Sequence, residues 1–333
     1  MNKFSINLVT WNGERYIEDC LYSILNQTFK DFSLIIIDNG STDRTLELIN
    51  ERFPHLSVIK HRENLGFTKA HNQAIHWSKS EYVLCLNQDV VLEPDFLLKM
   101  DQFLQRNSLA GAVTPKVLRT QEREKTKYID TLGLKLLKNF SAVEIGAGEQ
   151  DNGQFDVSKE VFGVSGAVPI YSRKALEEIR YKNEYFDEDF FSYKEDLDLS
   201  ARLRYAGWQC WYNPSSIAYH DRSVGAQRER MSKWSVFKSR RKKSKFANFY
   251  SYRNHLYFLY KNIPNYKIKN FWPILTYETV KFFYVLVFET RNIRAWRAFF
   301  KMKKVMRQKR DLMLKGRKIS DEEFYKWRDN ERL

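Results

Sequence analysis

Apolar residues in the first ninety positions come as short continuous runs, each followed by a stretch with helical spacing. Ser5–Val9 is the first run and ends at Thr10-Trp11-Asn12-Gly13, after which apolar positions recur at Tyr16, Leu21, Ile24 and Leu25. Phe32–Ile37 is the second, stopped by Asp38-Asn39-Gly40, and Ser41-Thr42-Asp43 caps a helix carrying Leu46, Leu48 and Ile49. Leu56–Ile59 is the third, and Asn64-Leu65-Gly66 turns the chain into a helix with Ala70, Ala74 and Ile75. Tyr82–Leu86 is the fourth, ending at Asn87-Gln88-Asp89, with a helix beginning near Glu93-Pro94. Continuous apolar strands alternating with amphipathic helices predict an α/β domain with a parallel sheet covered on both faces. In such sheets ligands bind at the carboxyl ends of the strands, where these polar clusters fall.

The pattern is weaker afterwards. Arg119 to Glu160 is polar, contains glycine and has little periodicity, which predicts a long excursion with small strands. Val161–Tyr171 reads as a strand, Glu195–Tyr205 as a helix and Trp208–Tyr212 as a further strand, followed by Ile217–His220. There are no internal repeats. The first strand–helix junction has one glycine in Thr10-Trp11-Asn12-Gly13-Glu14. A dinucleotide fold needs GxGxxG there so that backbone can approach a pyrophosphate, which excludes it even though Asp38 stands where a ribose-binding acid would.

Charge divides the chain. Residues 1–221 hold 26 Lys/Arg against 32 Asp/Glu, and residues 222–333 hold 30 against 9, giving about −6 and +21 within the total of +15. The basic part is rich in aromatics: Phe246, Phe249, Tyr250, Tyr252, Tyr257, Phe258 and Tyr260 fall in fifteen positions. Lys238–Lys245 reads as a loosely ordered basic segment, and Ile293–Leu314 as a helix with Ile293, Trp296, Phe300 and Val305 among Lys and Arg. Phe271–Phe288 is the most apolar stretch, but Pro273, Glu278 and Lys281 interrupt it, so it reads as an interfacial or buried helix rather than a span. No signal-peptide core precedes Val9. Cys20, Cys85 and Cys210 form no CxxC pair, which argues against a zinc site or disulfide framework and for a reducing compartment.

Several segments, in order, resemble the nucleotide-sugar half of family-two glycosyltransferases with the GT-A fold: Val9–Gly13, Ile37–Asp43, Asn64–Phe67 and Leu86–Val90. Val164–Ala167, Phe186–Phe191, Lys194–Leu199, Ala206–Trp208 and Tyr219-His220 resemble that family's acceptor and catalytic segments. The likeness covers about residues 4–222 and is greatest to the rhamnosyltransferase-like branch that builds bacterial cell-surface polysaccharides. It implies a GT-A nucleotide-diphospho-sugar transferase fold with a C-terminal basic, aromatic-rich helical extension. The expected domains are 1–222, with a nucleotide-sugar half at 1–118 and an acceptor half at 119–222, and a membrane-association region at 223–333.

The resemblance also assigns candidate roles. Asp38 ends a buried strand, where its carboxylate suits a pyrimidine N3–H, although Asp-Asn-Gly is also ordinary turn chemistry. Thr10, Asn12, Glu14, Asn39, Gly66, Asn87 and Gln88 are candidate nucleotide-sugar contacts, and Lys69 and His71 candidate phosphate counter-charges. Asp89 and His220 are the metal candidates for Mg2+ or Mn2+, a hard ion that would stabilise the departing diphosphate. The family's common Asp-x-Asp appears here as Asn87-Gln88-Asp89, with one carboxylate replaced by a neutral carbonyl. Asp196 is the candidate base of an inverting transfer and Glu195 its orienting partner, and an acidic first helical turn is the structural alternative.

The implied reaction moves a sugar, rhamnose on dTDP first and a UDP-linked galactofuranosyl or hexosyl unit second, to a lipid-linked or cell-surface glycan. A basic amphipathic tail fits an anionic membrane surface, hence a peripheral place on the cytoplasmic face of the inner membrane. Packing of the tail on the catalytic body is the competing expectation. Single-stranded nucleic acid would suit the tail's composition but leaves Asp38, Asp89, Asp196 and His220 unexplained, so no nucleic-acid partner is expected. A catalytically dead scaffold of the same fold is the third class, raised by Asn87.

Overall fold

The structure is a computed structural model that describes residues 1–221, 244–263 and 268–329. The basic segment expected at 238–245 therefore lies, except for its last two residues, outside the described residues. Among them a ten-stranded mixed sheet forms the centre. Its first half follows the sequence pattern: β1 (Phe4–Thr10), α1 (Ile17–Leu25), β2 (Phe32–Asp38), α2 (Thr45–Arg52), β3 (Val58–Lys60), α3 (Phe67–Trp77) and β4 (Tyr82–Asn87). β1 lies between β2 and β4, parallel to both, and Phe4, Ile6 and Leu8 are fully buried beneath the flanking helices. Full burial of such side chains is worth about 1.5–3 kcal/mol each, which fixes the register. That register sets Thr10 opposite Asp38, Val9 opposite Asn87 and Asp38 opposite Lys60, bringing the polar strand ends to one level.

The second half is antiparallel in part. β5 (Val90–Leu92) and α4 (Phe96–Arg106) lead into the hairpin of β6 (Ala110–Gln121) and β7 (Glu124–Thr131), and β8 (Leu134–Leu136) pairs with β9 (Ala142–Glu144). β7, β8 and β9 are the small strands expected between 119 and 160, whereas the twelve-residue β6 begins before that stretch and was not among the expected strands. The strand expected over 161–171 is mostly loop: only β10 (Lys159–Glu160) and β11 (Ile170–Ser172) are strand, at or beside its two ends. The loop passes hard against α6 (Glu195–Tyr205), where a Cβ on Gly163 would stand 2.4 Å from Ser200 Cβ. Close packing on a helix leaves the segment only scattered backbone bonds to its neighbours, such as Leu134 N to Gly163 O at 2.8 Å and Val161 N to Cys210 O at 2.9 Å, and no continuous ladder. α5 (Arg173–Ile179) precedes α6, and β12 (Gln209–His220) joins the two expected strands through an irregularity between Asn213 and Ile217.

The described part of the tail is helical: α7 (Lys245–Asn262), α8 (Ile268–Phe288), α9 (Arg294–Lys315) and α10 (Asp321–Asp329). Much of it shares a core with the body. Phe162, Phe190, Leu197 and Tyr205 pack with Tyr252, Phe258, Phe299 and Phe324, and the rings of Tyr205 and Phe324 stack 4.3 Å apart. The opposite charges of the two halves also meet here. Lys309 of α9 bonds Asp187 at 2.5 Å, Asp189 at 2.9 Å and Glu184 at 3.0 Å, and Lys261 of α7 bonds Asp187 at 2.5 Å and Asp198 at 2.9 Å. Burial opposes ionisation of Asp187, but these two ammonium groups outweigh it and hold its carboxyl well below the usual range.

Of the two expectations for α8, buried or interfacial, the buried one does not hold. Phe271–Phe288 is long and apolar enough to cross a membrane by length and composition, and only 11% of that window is buried. Trp272, Val280, Phe283, Val287 and Phe288 are exposed, whereas Glu278 turns inward to His255 of α7.

Candidate active site

The candidate nucleotide-sugar contacts Thr10, Asn12, Glu14, Asp38 and Gln88 gather where the first strands end. Asp38, at the end of β2, is 1% exposed; Oδ2 accepts the Ser41 N–H at 3.1 Å, and Oδ1 has no partner. A buried acceptor oxygen without a donor is costly unless a ligand supplies one. The loops around it are stitched together. Asn12 Oδ1 accepts from Thr42 N at 2.8 Å, Asn12 N donates to Ser41 Oγ at 2.9 Å, and Glu14 Oε2 accepts from Arg44 N at 3.1 Å. Gln88 Oε1 accepts from Trp11 N at 2.8 Å and from the Thr10 hydroxyl, so the turn after β4 locks the turn after β1.

Two candidate contacts need correcting. Asn39 is consumed internally: its amide nitrogen donates to Asn64 Oδ1 and the Gly66 carbonyl, and its oxygen accepts from Leu65 N. It is a strut that shapes the 64–66 turn. His71 is a core residue, fully buried between Phe67 and Phe186, with neither ring nitrogen hydrogen-bonded. Burial pushes its pKa from 6.5 down to about 3, so it is neutral and offers phosphate no charge. Lys69, two residues earlier on α3, is exposed. Gly66 has φ +86°, and a Cβ there would meet the Phe191 ring at 2.6 Å. Its place in the site is steric, joining the donor side to the segment before α6.

Strand pairing brings the metal candidates together. β12 runs antiparallel to β5 with His220 opposite Val90, which sets His220 Nε2 3.4 Å from Asp89 Oδ1. His220 Nδ1 is 2.8 Å from Oδ2 of the fully buried Asp130, whose other oxygen lies 3.6 Å from Arg119. Burial alone would lower the His220 pKa; the bonds to Asp130 and Asp89 outweigh it and raise it to about 10. Asp130 holds the ring so that Nε2 faces Asp89, as an outer carboxylate does behind a metal-binding histidine. Among the described residues no group of three or more His, Cys, Asp or Glu forms a closed metal cage. Without an ion the ring keeps its proton against Asp89; a hard divalent ion would take the place of that proton, held by Asp89 and His220 with its remaining ligands from diphosphate oxygens and water.

The candidate catalytic pair opens α6. Asp196 Oδ2 accepts from Gly166 N at 3.1 Å and Oδ1 from Leu197 N at 2.7 Å, while Glu195 is buried with Oε2 unpartnered. Both flank Gly166, where a Cβ would lie 3.6 Å from Asp196 Oδ2 and Glu195 Oε1. One residue on, Ala167 O accepts from Asn87 N at 3.0 Å, which brings this pair to the edge of the Asn87-Gln88-Asp89 turn. Burial first and the Asp196 charge second hold the Glu195 pKa well above the ordinary carboxylate value. Asp196 is also raised by burial, against the pull of its two backbone bonds. Asp198 points to the opposite side, bonding Arg202, Lys261 and Asn262.

The sequence profile described as Glycosyl transferase family 2 matches residues 5–180, just over half of the 333-residue chain. The chain belongs to glycosyl transferase family 2. Poly-beta-1,6-N-acetyl-D-glucosamine synthase of Staphylococcus epidermidis is 26% identical over 224 residues, covering 65% of this chain and 49% of the synthase. Chondroitin synthase of Pasteurella multocida is 37% identical over 114 residues, 33% of this chain and 12% of that enzyme. This family member thus spans about half the length of the first relative and far less of the second. The crystal structure of GalNAc-T7 with UDP, GalNAc and Mn2+ aligns with a TM-score of 0.58 at 12% identity, covering 78% of this chain and 49% of that one. At that identity the likeness speaks for the fold, which is GT-A.

Asp130, Lys261, Lys309, Arg253 and Asn254 stand behind the site and were not among the sequence candidates. Asp130 sits in the weakly patterned region, and the others sit in the tail. Only tertiary pairing reveals them.

Proposed function

We propose that this family-two enzyme is an inverting transferase that moves a sugar from a pyrimidine nucleoside diphosphate to a hydroxyl of a lipid-linked or cell-surface glycan. Residues 1–118 take the donor, with the free oxygen of Asp38 accepting the base N3–H. That donor is common to uracil and thymine, so dTDP-rhamnose and UDP-linked sugars both fit. The relative named for poly-N-acetylglucosamine synthesis favours a hexosamine on UDP as the second reading.

The supporting observation is the Glu195–Asp196 pair around Gly166, beside the Asn87–Asp89 turn. The acceptor oxygen attacks the anomeric carbon, its proton passes to Asp196, and the bond to the diphosphate oxygen breaks on the opposite face. Burial raises the pKa of the Asp196 carboxyl, which strengthens it as a base, and Glu195, held largely protonated by the same burial, lines Gly166 beside it. A divalent cation held by Asp89 and His220 would neutralise the charge growing on the diphosphate. Lys69 is the remaining basic candidate at the rim. The exposed apolar face of α8 beside the cationic α9 supports docking on an anionic membrane, at the cytoplasmic face of the inner membrane.

The test is a thermal-shift titration with dTDP and UDP, each with and without Mn2+. Ligand bound to the native state alone raises the midpoint. A Mn2+-dependent rise that disappears in Asp89→Ala is expected; folded protein that responds to neither nucleotide overturns the reading. Where turnover follows, inversion is read from the anomeric configuration of the product by NMR.

A further inference from the structure

The segment before the catalytic pair holds an unfavourable backbone. Phe191, Tyr193 and Lys194 all have positive φ, at 65°, 70° and 67°, in a stretch without glycine. Residues with a Cβ rarely adopt that region, so something outside the segment must impose it. α7 does so. Asn254, fully buried, directs its amide nitrogen at three carbonyls of the segment: Phe190 at 2.8 Å, Ser192 at 2.8 Å and Tyr193 at 2.7 Å. Arg253 donates from Nη2 to the carbonyls of Asp189 at 2.6 Å and Phe190 at 3.0 Å. Its Nε donates to Asn254 Oδ1 at 2.9 Å, which turns the amide nitrogen toward the loop.

The clamped segment touches both sides of the site. The Phe191 ring covers Gly66, and the Phe191 carbonyl accepts from Thr68 N at 3.2 Å on the donor side. Lys194 leads directly into Glu195 and Asp196. We infer that Asn254, oriented by Arg253, is a positioning residue for glycosyl transfer: it fixes the Phe190–Lys194 turn and thereby the placement of Asp196 against the acceptor hydroxyl. The inference rests on the proposed role of Asp196. The cationic, aromatic tail then completes the active site from behind, besides whatever it does at a membrane. A displacement of about 1 Å in a reacting group costs on the order of 100-fold in rate, while the bonds of Asn254 go to Arg253 and the Phe190–Tyr193 carbonyls rather than to the ends of β1, β2 and β4.

The experiment compares full-length wild type, Asn254→Ala and Tyr252→Phe. Tyr252→Phe, on the same helix as Asn254, removes the 2.7 Å bond donated by Trp296 Nε1 of α9 while keeping the ring that packs in the core with Phe190. Hydrogen–deuterium exchange of residues 190–198 is measured in all three, with the UDP and dTDP thermal shifts in Mn2+ and, on whichever pyrimidine-nucleotide sugar the wild type turns over, kcat and KM across pH. Asn254→Ala is expected to speed exchange in that stretch at least about tenfold, lower kcat on the order of 100-fold and keep nucleotide affinity within about twofold. Its acid limb should also move to lower pH, because a loosened turn lets water reach the carboxylates. Tyr252→Phe should change none of these. Unchanged exchange at 190–198 overturns the inference, as does a loss of nucleotide binding equal to the loss of kcat. A wild type that binds neither nucleotide refutes the proposed function instead, and the exchange comparison still decides whether Asn254 holds the turn.

Discussion

His71 offers a sharp check on how the donor side is built, because a phosphate-facing histidine and a core histidine respond oppositely to acid. Its ring is fully buried against Phe67 and Phe186, and burial lowers its pKa from 6.5 to about 3. The sign follows from linkage: the unfolded chain binds the proton more readily, so the stability gained from a neutral His71 is complete above pH 6.5 and is lost as pH falls toward 3. The full span is worth about 5 kcal/mol, and the part lost between pH 7.5 and pH 5 about 2 kcal/mol. His71→Leu keeps an apolar side chain of similar size and removes the titration. Urea unfolding of both proteins at pH 7.5 and pH 5 isolates the effect, since every other group cancels in the difference. Wild type should lose about 2 kcal/mol more than the variant, or roughly 3 °C in midpoint for a chain of this size. Equal losses would refute the burial argument and return His71 to the rim of the site.

Glu195→Gln should stabilise the protein at pH 8 and have no effect at pH 4: the raised carboxyl resists ionising in the fold, so wild type loses stability as pH climbs through the ordinary carboxylate range. Thermal midpoints of both proteins across that range check it. Asp196→Asn should lower transfer about 10²–10⁴-fold with the fold intact; near-wild-type turnover would remove Asp196 as base. Asp187→Ala removes the carboxylate shared by Lys261 and Lys309, leaving Lys261 with Asp198 and Lys309 with Glu184 and Asp189, and should cost about 3 kcal/mol in urea unfolding; a cost below about 1 kcal/mol would mean that the remaining carboxylates and water suffice. Val287→Glu, on the exposed face of α8, should weaken flotation with vesicles containing anionic lipid while leaving the thermal midpoint within about 1 °C, as a surface change far from the core does. Unchanged flotation would count against α8 as the docking face.

What the sequence reveals here depends on how local the cause is. Phe4–Thr10, Phe32–Asp38 and Tyr82–Asn87 announce themselves because continuous apolar runs can be satisfied only inside a two-sided sheet. Glu195–Tyr205 is legible for a similar reason, since its capping acids and apolar positions lie within one helix. The 161–169 loop misleads: Val161, Phe162 and Val164 are apolar enough for a strand, but part of that burial comes from α6 and, for Phe162, from the tail, so the apolar run does not mark one continuous ladder. His71 looks like a ligand by position and is a core residue by packing. Asp130 and Asn254 were invisible because their partners lie 90 and about 60 positions away, and no periodicity encodes such a pairing. In α8, Glu278 and Lys281 break the apolar run on paper, yet both side chains turn to the protein side and leave the outer face continuous.

The core shared by Tyr205, Phe190, Tyr252 and Phe324 has a consequence for the order in which the molecule becomes an enzyme. Synthesis runs from the amino end at about 5–20 residues per second, so α6 leaves the ribosome roughly ten seconds before Phe324 does. In that interval the parallel half can close around β1, but Phe162, Phe190 and Tyr205 lack their covering rings, and the turn before Glu195 lacks its hold from α7. The candidate catalytic carboxylates are therefore set only after α7 and Phe324 have been made. A message cut short after the family-matching segment would yield a sticky, inactive product rather than a free-running transferase.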